Sequence, residues 1–129
     1  MGSRFIASKE SEFHDEYKAL IPPGKPQDTG LYTGAFGPIR LYKNKYALSH
    51  PAPSSKEEMI AYEESITPEQ RVKDLGAYDR VYSGDMETGA VLLGQSIGII
   101  DSIDGVNVII ERVMKEAENA IRKNFAMLK

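Results

Sequence analysis

A chain of 129 residues is long enough for one domain with its own core, and 41% hydrophobic with 27% charged residues is an ordinary globular balance that excludes wholesale disorder and fibrous classes. A net charge of -3, with basic residues interleaved among acids, offers no broad positive field and argues against a nucleic-acid partner. The absence of cysteine excludes disulfides, thiolate nucleophiles and Cys-based zinc sites, and two histidines far apart in sequence do not suggest a metal cluster. No apolar run approaches the roughly 20 residues that span a bilayer, and the N-terminus lacks a secretory pattern, so the expectation is a cytoplasmic protein with no membrane partner.

In chain order, Gly2 to Ser8 is a short apolar-leaning run that suits the end of a strand. From Ser8 to Ile21 the residues Phe13, Tyr17, Leu20 and Ile21 recur at helical spacing, with Ser8 as the N-cap and Pro22-Pro23-Gly24 as the stop. Lys25 to His50 is rich in glycine, threonine and aromatics and predicts short extended segments or a loose hairpin around Gly34 and Gly37-Pro38. After a loop from Pro51 to Ser55, Ser54 or Ser55 with Glu57 or Glu58 opens a helix over Lys56 to Ser65. Thr67-Pro68-Glu69-Gln70 opens another, with Thr67 as N-cap, Pro68 at the first helical position, Gln70 reaching back, and an end near Gly76.

Met86 to Ile100 predicts a helix with one very small face, because Ala90, Gly94 and Gly98 recur every four residues; another backbone or a flat ring can approach along such a stripe. Gln95 lies beside it, where an amide that both donates and accepts suits the edge of a ligand ring or a carbonyl; the alternative is tight helix packing with Gln95 capping a backbone group. The last segment carries Ile109 or Ile110, Val113, Met114, Ala117, Ala120 and Ile121 at three- and four-residue spacing, with Arg122, Lys123 and Lys129 where a helix dipole favours cations. Arg40 is a candidate for anion binding or an exposed salt bridge.

Met1-Gly2-Ser3-Arg4-Phe5, then Gly37-Pro38-Ile39-Arg40, then Gly84-Asp85 with Gly94-Gln95 form three patches whose order resembles the closing part of the nitronate monooxygenases, or 2-nitropropane dioxygenases, and their relatives the flavin-type enoyl-acyl-carrier-protein reductases. Met1-Gly2-Ser3-Arg4-Phe5 through Glu10-Ser11 is similar to the place where the eighth barrel strand ends in Gly-Thr-Arg-Phe, with serine here for threonine. Asp28-Thr29 and Gly37-Pro38-Ile39-Arg40-Leu41-Tyr42-Lys43-Asn44 resemble the segment beyond the barrel. Gly84-Asp85, Gly89, Gly94-Gln95 and Gly98-Ile99-Ile100 resemble the family's later glycine spacing.

The resemblance implies an α/β fold: the C-terminal part of an FMN-dependent (β/α)8 TIM barrel plus its helical extension, with this chain alone mostly α-helical and holding a few short strands. The whole of 1–129 then forms a single region, with the last barrel strand and helix over 1–24, an extended segment over 25–55 and the helical extension over 56–129. The implied cofactor is FMN in the intact barrel, with Met1, Gly2, Ser3 and Gln95 as cofactor-binding candidates, since barrels commonly seat a ligand phosphate on the loops after strands seven and eight. The family's catalytic histidine matches neither His14 nor His50, so no catalytic residue and no metal ligand is assigned. The implied function is a fragment or subunit of a flavin oxidoreductase, binding flavin and a small-molecule substrate once completed by the barrel. A noncatalytic helical assembly or regulatory module is the alternative, and either reading expects an oligomer or a partner subunit.

Overall fold

The computed structural model describes residues 1–35, 37–52 and 54–128, which places Lys129 and the centre of the Pro51 to Ser55 loop, Pro53, outside the described residues. Helix makes up 56% of the described residues, and the sheet among them has two strands. No helix among the described residues is long and apolar enough to cross a membrane.

The chain begins in helix, not strand: α1 spans Gly2–Ile6. A lone strand would leave its backbone unpaired, whereas a helical turn lets the Arg4 and Phe5 N–H groups donate to the Met1 carbonyl at 3.0 and 3.3 Å. Extended pairing appears only at Ser8, in an isolated parallel bridge to Asp104. The next helix is also shorter than its apolar spacing predicts, because α2 spans Asp15–Ala19 with His14 as N-cap. The His14 Nδ1 accepts from the Glu16 N–H at 3.2 Å, while the Ser8 hydroxyl donates to the Phe5 carbonyl at 2.7 Å and helps hold the end of α1 instead.

The extended segment is a hairpin of β1, Thr29–Gly34, and β2, Gly37–Tyr42, antiparallel from Thr29 opposite Tyr42 to Gly34 opposite Gly37. Gly37 takes φ 107°, a left-handed value that favours glycine. Asn44 then caps α3, Lys45–Leu48, by accepting from the Ala47 N–H at 2.9 Å, and its Nδ2 donates to the Met86 and Gly89 carbonyls, both at 2.8 Å. The hairpin exit is thereby fastened to a turn more than 40 residues away.

Two expected helix starts hold. Ser55 accepts from the Glu58 N–H at the head of α4, Lys56–Ser65, and Thr67 from the Gln70 N–H at the head of α5, Pro68–Arg80. Gln70 does not reach back; its Nε2 donates forward to Asp74 at 3.0 Å. Nor does α5 stop at Gly76, because the next turn is anchored: Ala77 is fully buried and its carbonyl accepts from the Ala90 N–H at 2.8 Å. The chain turns away after Val81–Ser83 at Gly84, with φ 89°.

The helix predicted over Met86 to Ile100 is absent. Its backbone groups are spent sideways: the Val91 carbonyl accepts from the Tyr42 N–H at 2.8 Å, Leu92 bridges Leu41, and the Leu92 carbonyl accepts from the Tyr17 hydroxyl at 2.7 Å. This extended cross-piece lies between two apolar clusters. Tyr17, Ile21, Val91, Leu93 and Ile97 belong to one, and Tyr32, Leu41, Tyr46, Ala77 and Ala90 to the other. Only Gln95–Ile99 coils, as a 3₁₀ helix. Ala90, Gly94 and Gly98 therefore share no helical face, and Gly98 instead lies against the Pro26 ring, where a Cβ would meet Pro26 Cδ at 2.5 Å. The last helix, α6, spans Val106–Met127, and its final turn carries no basic residue; Arg122 pairs with Glu118 at 2.6 Å.

A buried polar pair joins α3 and α5. His50 Nδ1 lies 2.9 Å from the Tyr46 carbonyl, and Nε2 lies 3.5 Å from Asp74, with both side chains almost wholly enclosed. Burial, then the Asp74 charge, pushes the Tyr46 hydroxyl pKa up. Asp74→Ala leaves the Gln70 amide and the enclosed His50 ring without this acceptor, so it should cost about 1–3 kcal/mol in urea unfolding. Removing the exposed Lys45–Glu87 pair by Glu87→Ala should change stability by about 1 kcal/mol or less.

Candidate functional site

The fold brings the two halves of the expected site together. Ser3 is buried, and its Oγ accepts from the Gly94 N–H at 2.9 Å, which sets Met1-Gly2-Ser3 beside Gly94-Gln95 across 91 positions of sequence. Met1, at 68% exposure, precedes α1, and Gly2 opens the helix in free space, with nothing within 4 Å of the point a Cβ would occupy. Gln95 is exposed at the first residue of the 3₁₀ helix. As the first groups of a helix, the Gly2 and Ser3 N–H have no intrahelical acceptor. Ser3 spends an acceptor lone pair on Gly94 and keeps its own proton to donate.

The next residue fixes this arrangement. The Arg4 guanidinium donates to the Ser102 carbonyl at 2.5 Å and to the Asp104 carboxylate at 2.6 Å, and Arg112 of α6 reaches the same oxygen at 3.2 Å. The Ser102 hydroxyl lies 2.7 Å from that carboxylate. The Ser102 hydrogen bond first, and the two guanidiniums after it, hold the Asp104 carboxyl below the usual carboxylate range. Beside this cluster an open cavity of about 760 Å³ runs between α1, the 3₁₀ helix and α6, bordered by Met1, Arg4, Ile99, Asp104 and Arg112. Asp101, Asp104 and Glu116 offset its two guanidiniums, so it is no anion trap.

The other candidates lie apart from this corner. Arg40 donates to the Thr29 hydroxyl at 3.3 Å, across the hairpin. Gly84 lies under the His14 ring, where a Cβ would stand 2.7 Å from its Cε1. Sequence reasoning missed the Arg4–Asp104–Arg112 cluster and the His50–Asp74 pair, whose partners are too far apart to leave a local pattern. Asn44 did leave one, since asparagine ahead of a short helix is an N-cap signal.

No protein-family profile matches the chain, and no functionally curated protein matches it. Among solved structures, FabK from Thermotoga maritima is 32% identical with a TM-score of 0.75, covering 98% of this chain and 38% of that chain. A methionine-to-alanine variant of the same FabK is also 32% identical, with a TM-score of 0.72 over 98% of this chain and 36% of that one. The chain thus spans little more than a third of the length of the structures it resembles.

Ser3→Ala leaves the Gly94 N–H without its acceptor and should lower stability by about 1–2 kcal/mol in chemical unfolding. The Asp104 cluster adds a pH dependence with a definite sign. Because the folded carboxyl titrates below the unfolded one, its stabilisation is complete above the ordinary carboxylate range and is lost as pH falls through the depressed value. Asp104→Asn should therefore flatten the acid limb of the melting temperature against pH, and an unchanged limb would remove Asp104 from it.

Proposed function

We propose that this chain is the C-terminal part of a flavin-dependent oxidoreductase barrel of the FabK and nitronate monooxygenase kind, supplying part of the flavin phosphate site and a helical cover beside it. The observation that carries this reading is the likeness to FabK over 98% of the chain at 32% identity, from structures of which it covers little more than a third. The order of the three sequence patches supports the same assignment.

The residues present suit the phosphate end of FMN. Gly2 has open space over its backbone, so an anion can approach its N–H closely. The Ser3 N–H and hydroxyl add donors on a segment fixed by Gly94 and Arg4, and charge-assisted bonds of this kind contribute about 1.5–3 kcal/mol each. Gln95, exposed next to Ser3's partner, would donate or accept at the rim of the same site. The flavin, when bound, supplies the redox chemistry, and the chain's part is to bind and orient it. FabK stands on the enoyl-reductase side of the family, which favours reduction of an enoyl thioester with a nicotinamide cofactor over oxidation of a nitronate by oxygen.

The test joins Met1 to the portion of Thermotoga maritima FabK that this chain does not cover and titrates FMN by visible absorbance. The joined protein should be yellow, with one flavin per chain. Gly2→Val should weaken flavin binding by the joined protein about tenfold or more, while the melting temperature of the 129-residue chain stays unchanged, since there the added side chain meets no protein atom nearby. A folded but colourless product contradicts the proposal, and unchanged affinity in Gly2→Val removes Gly2 from the site.

A further inference from the structure

The 22 residues of α6 extend about 33 Å, yet among its described residues only Ile109 is buried, and every described residue from 110 to 128 is exposed. The exposure is not that of a polar helix. Helical spacing puts Ile110, Val113, Met114, Ala117, Ile121 and Leu128 in one arc, with Ile121 at 69% and Leu128 at 84% exposure. Arg112, Glu116, Asn119 and Lys123 occupy the opposite side, and Lys115, Glu118 and Arg122 flank the stripe. A helix of this kind buries its stripe against another element and keeps its far side in water, and in a (β/α)8 barrel the outer helices are covered by strands in this one-sided way.

We infer that the α6 stripe is the docking surface for the part of a FabK-like barrel that this chain does not cover. The inference rests on the function proposed above and names the partner for one surface of it. Two observations select this occupant. More than 60% of the FabK length has no counterpart here, since the chain covers 36% and 38% of the two structures. The root of α6 is also tied, through Arg112 to Asp104 and from there to Arg4 and Ser8, onto the segment that resembles the end of the last barrel strand. The stripe therefore starts beside the place where neighbouring strands would stand.

The chain has no cysteine, so single thiols can report on each side of α6. Ile121→Cys on the stripe and Asn119→Cys opposite should alkylate at similar rates in the 129-residue chain. In the joined FabK protein described above, Ile121→Cys should slow by about tenfold or more relative to Asn119→Cys, read by mass spectrometry of the α6 peptide. Equal rates in a folded joined protein, or a product that only aggregates, overturns the inference. So does shielding of Ile121 in the chain alone that grows with its concentration, which would assign the stripe to a second copy. Shielding without bound FMN keeps this inference and contradicts the flavin site, whereas bound FMN with equal rates does the reverse.

Discussion

The structure depends on a tie between the two ends of the chain. Ser3 accepts from Gly94, Arg4 bridges to Ser102 and Asp104, and Ser8 pairs with Asp104, so the first eight residues are held by a segment about 90 to 100 positions later. Closing a loop of that length costs entropy that grows only slowly with length, and several bonds at one corner share the cost. Ala7 and Ile100 then join the same apolar cluster behind the tie. The corner is therefore both where the fold closes and where the proposed phosphate donors lie.

The cross-piece from Ala90 to Leu93 carries this closure into the rest of the molecule. It is hydrogen-bonded to α5, to β2 and to Tyr17, and its buried side chains are shared between the two clusters. The Asn44 amide and the His50–Asp74 pair add polar fastenings on the hairpin side. All of this rigidity sits on one side of α6, which leaves the body at Asp104 and Ile109 and presents its apolar stripe outward. The anchor is firm and the stripe is uncovered, which is the contrast that the proposed barrel contact would resolve.

Local signals were readable wherever a residue acts on its neighbours. The caps at Ser55 and Thr67, the hairpin around Gly37-Pro38 and the long amphipathic α6 all follow from spacing and turn chemistry. The failures arise outside the local window, from a missing strand partner in one case and from tertiary bonds in the other. Gly2 to Ile6 reads as strand but has no neighbouring strand to pair with and coils. Met86 to Ile100 has helical spacing, but its backbone groups bond to Ala77, Tyr42 and Tyr17. Of the candidate site, Met1, Gly2 and Ser3 were nameable from the resemblance and Gln95 from the resemblance together with a small-residue stripe that does not form; that Ser3 meets Gly94 was not, because no periodicity links positions 91 residues apart.

The proposal for this chain joins two features, a closing corner with donors for a ligand phosphate and a longest helix with an uncovered apolar stripe. The most direct measurement is the DNA sequence immediately upstream of the Met1 codon. The account predicts that this DNA, in the same or an adjoining reading frame, encodes repeated strand-and-helix units with glycine-rich strand ends that correspond to the remaining length of FabK. Upstream DNA that encodes no such units would contradict it, and the exposed stripe of α6 would then need a different partner.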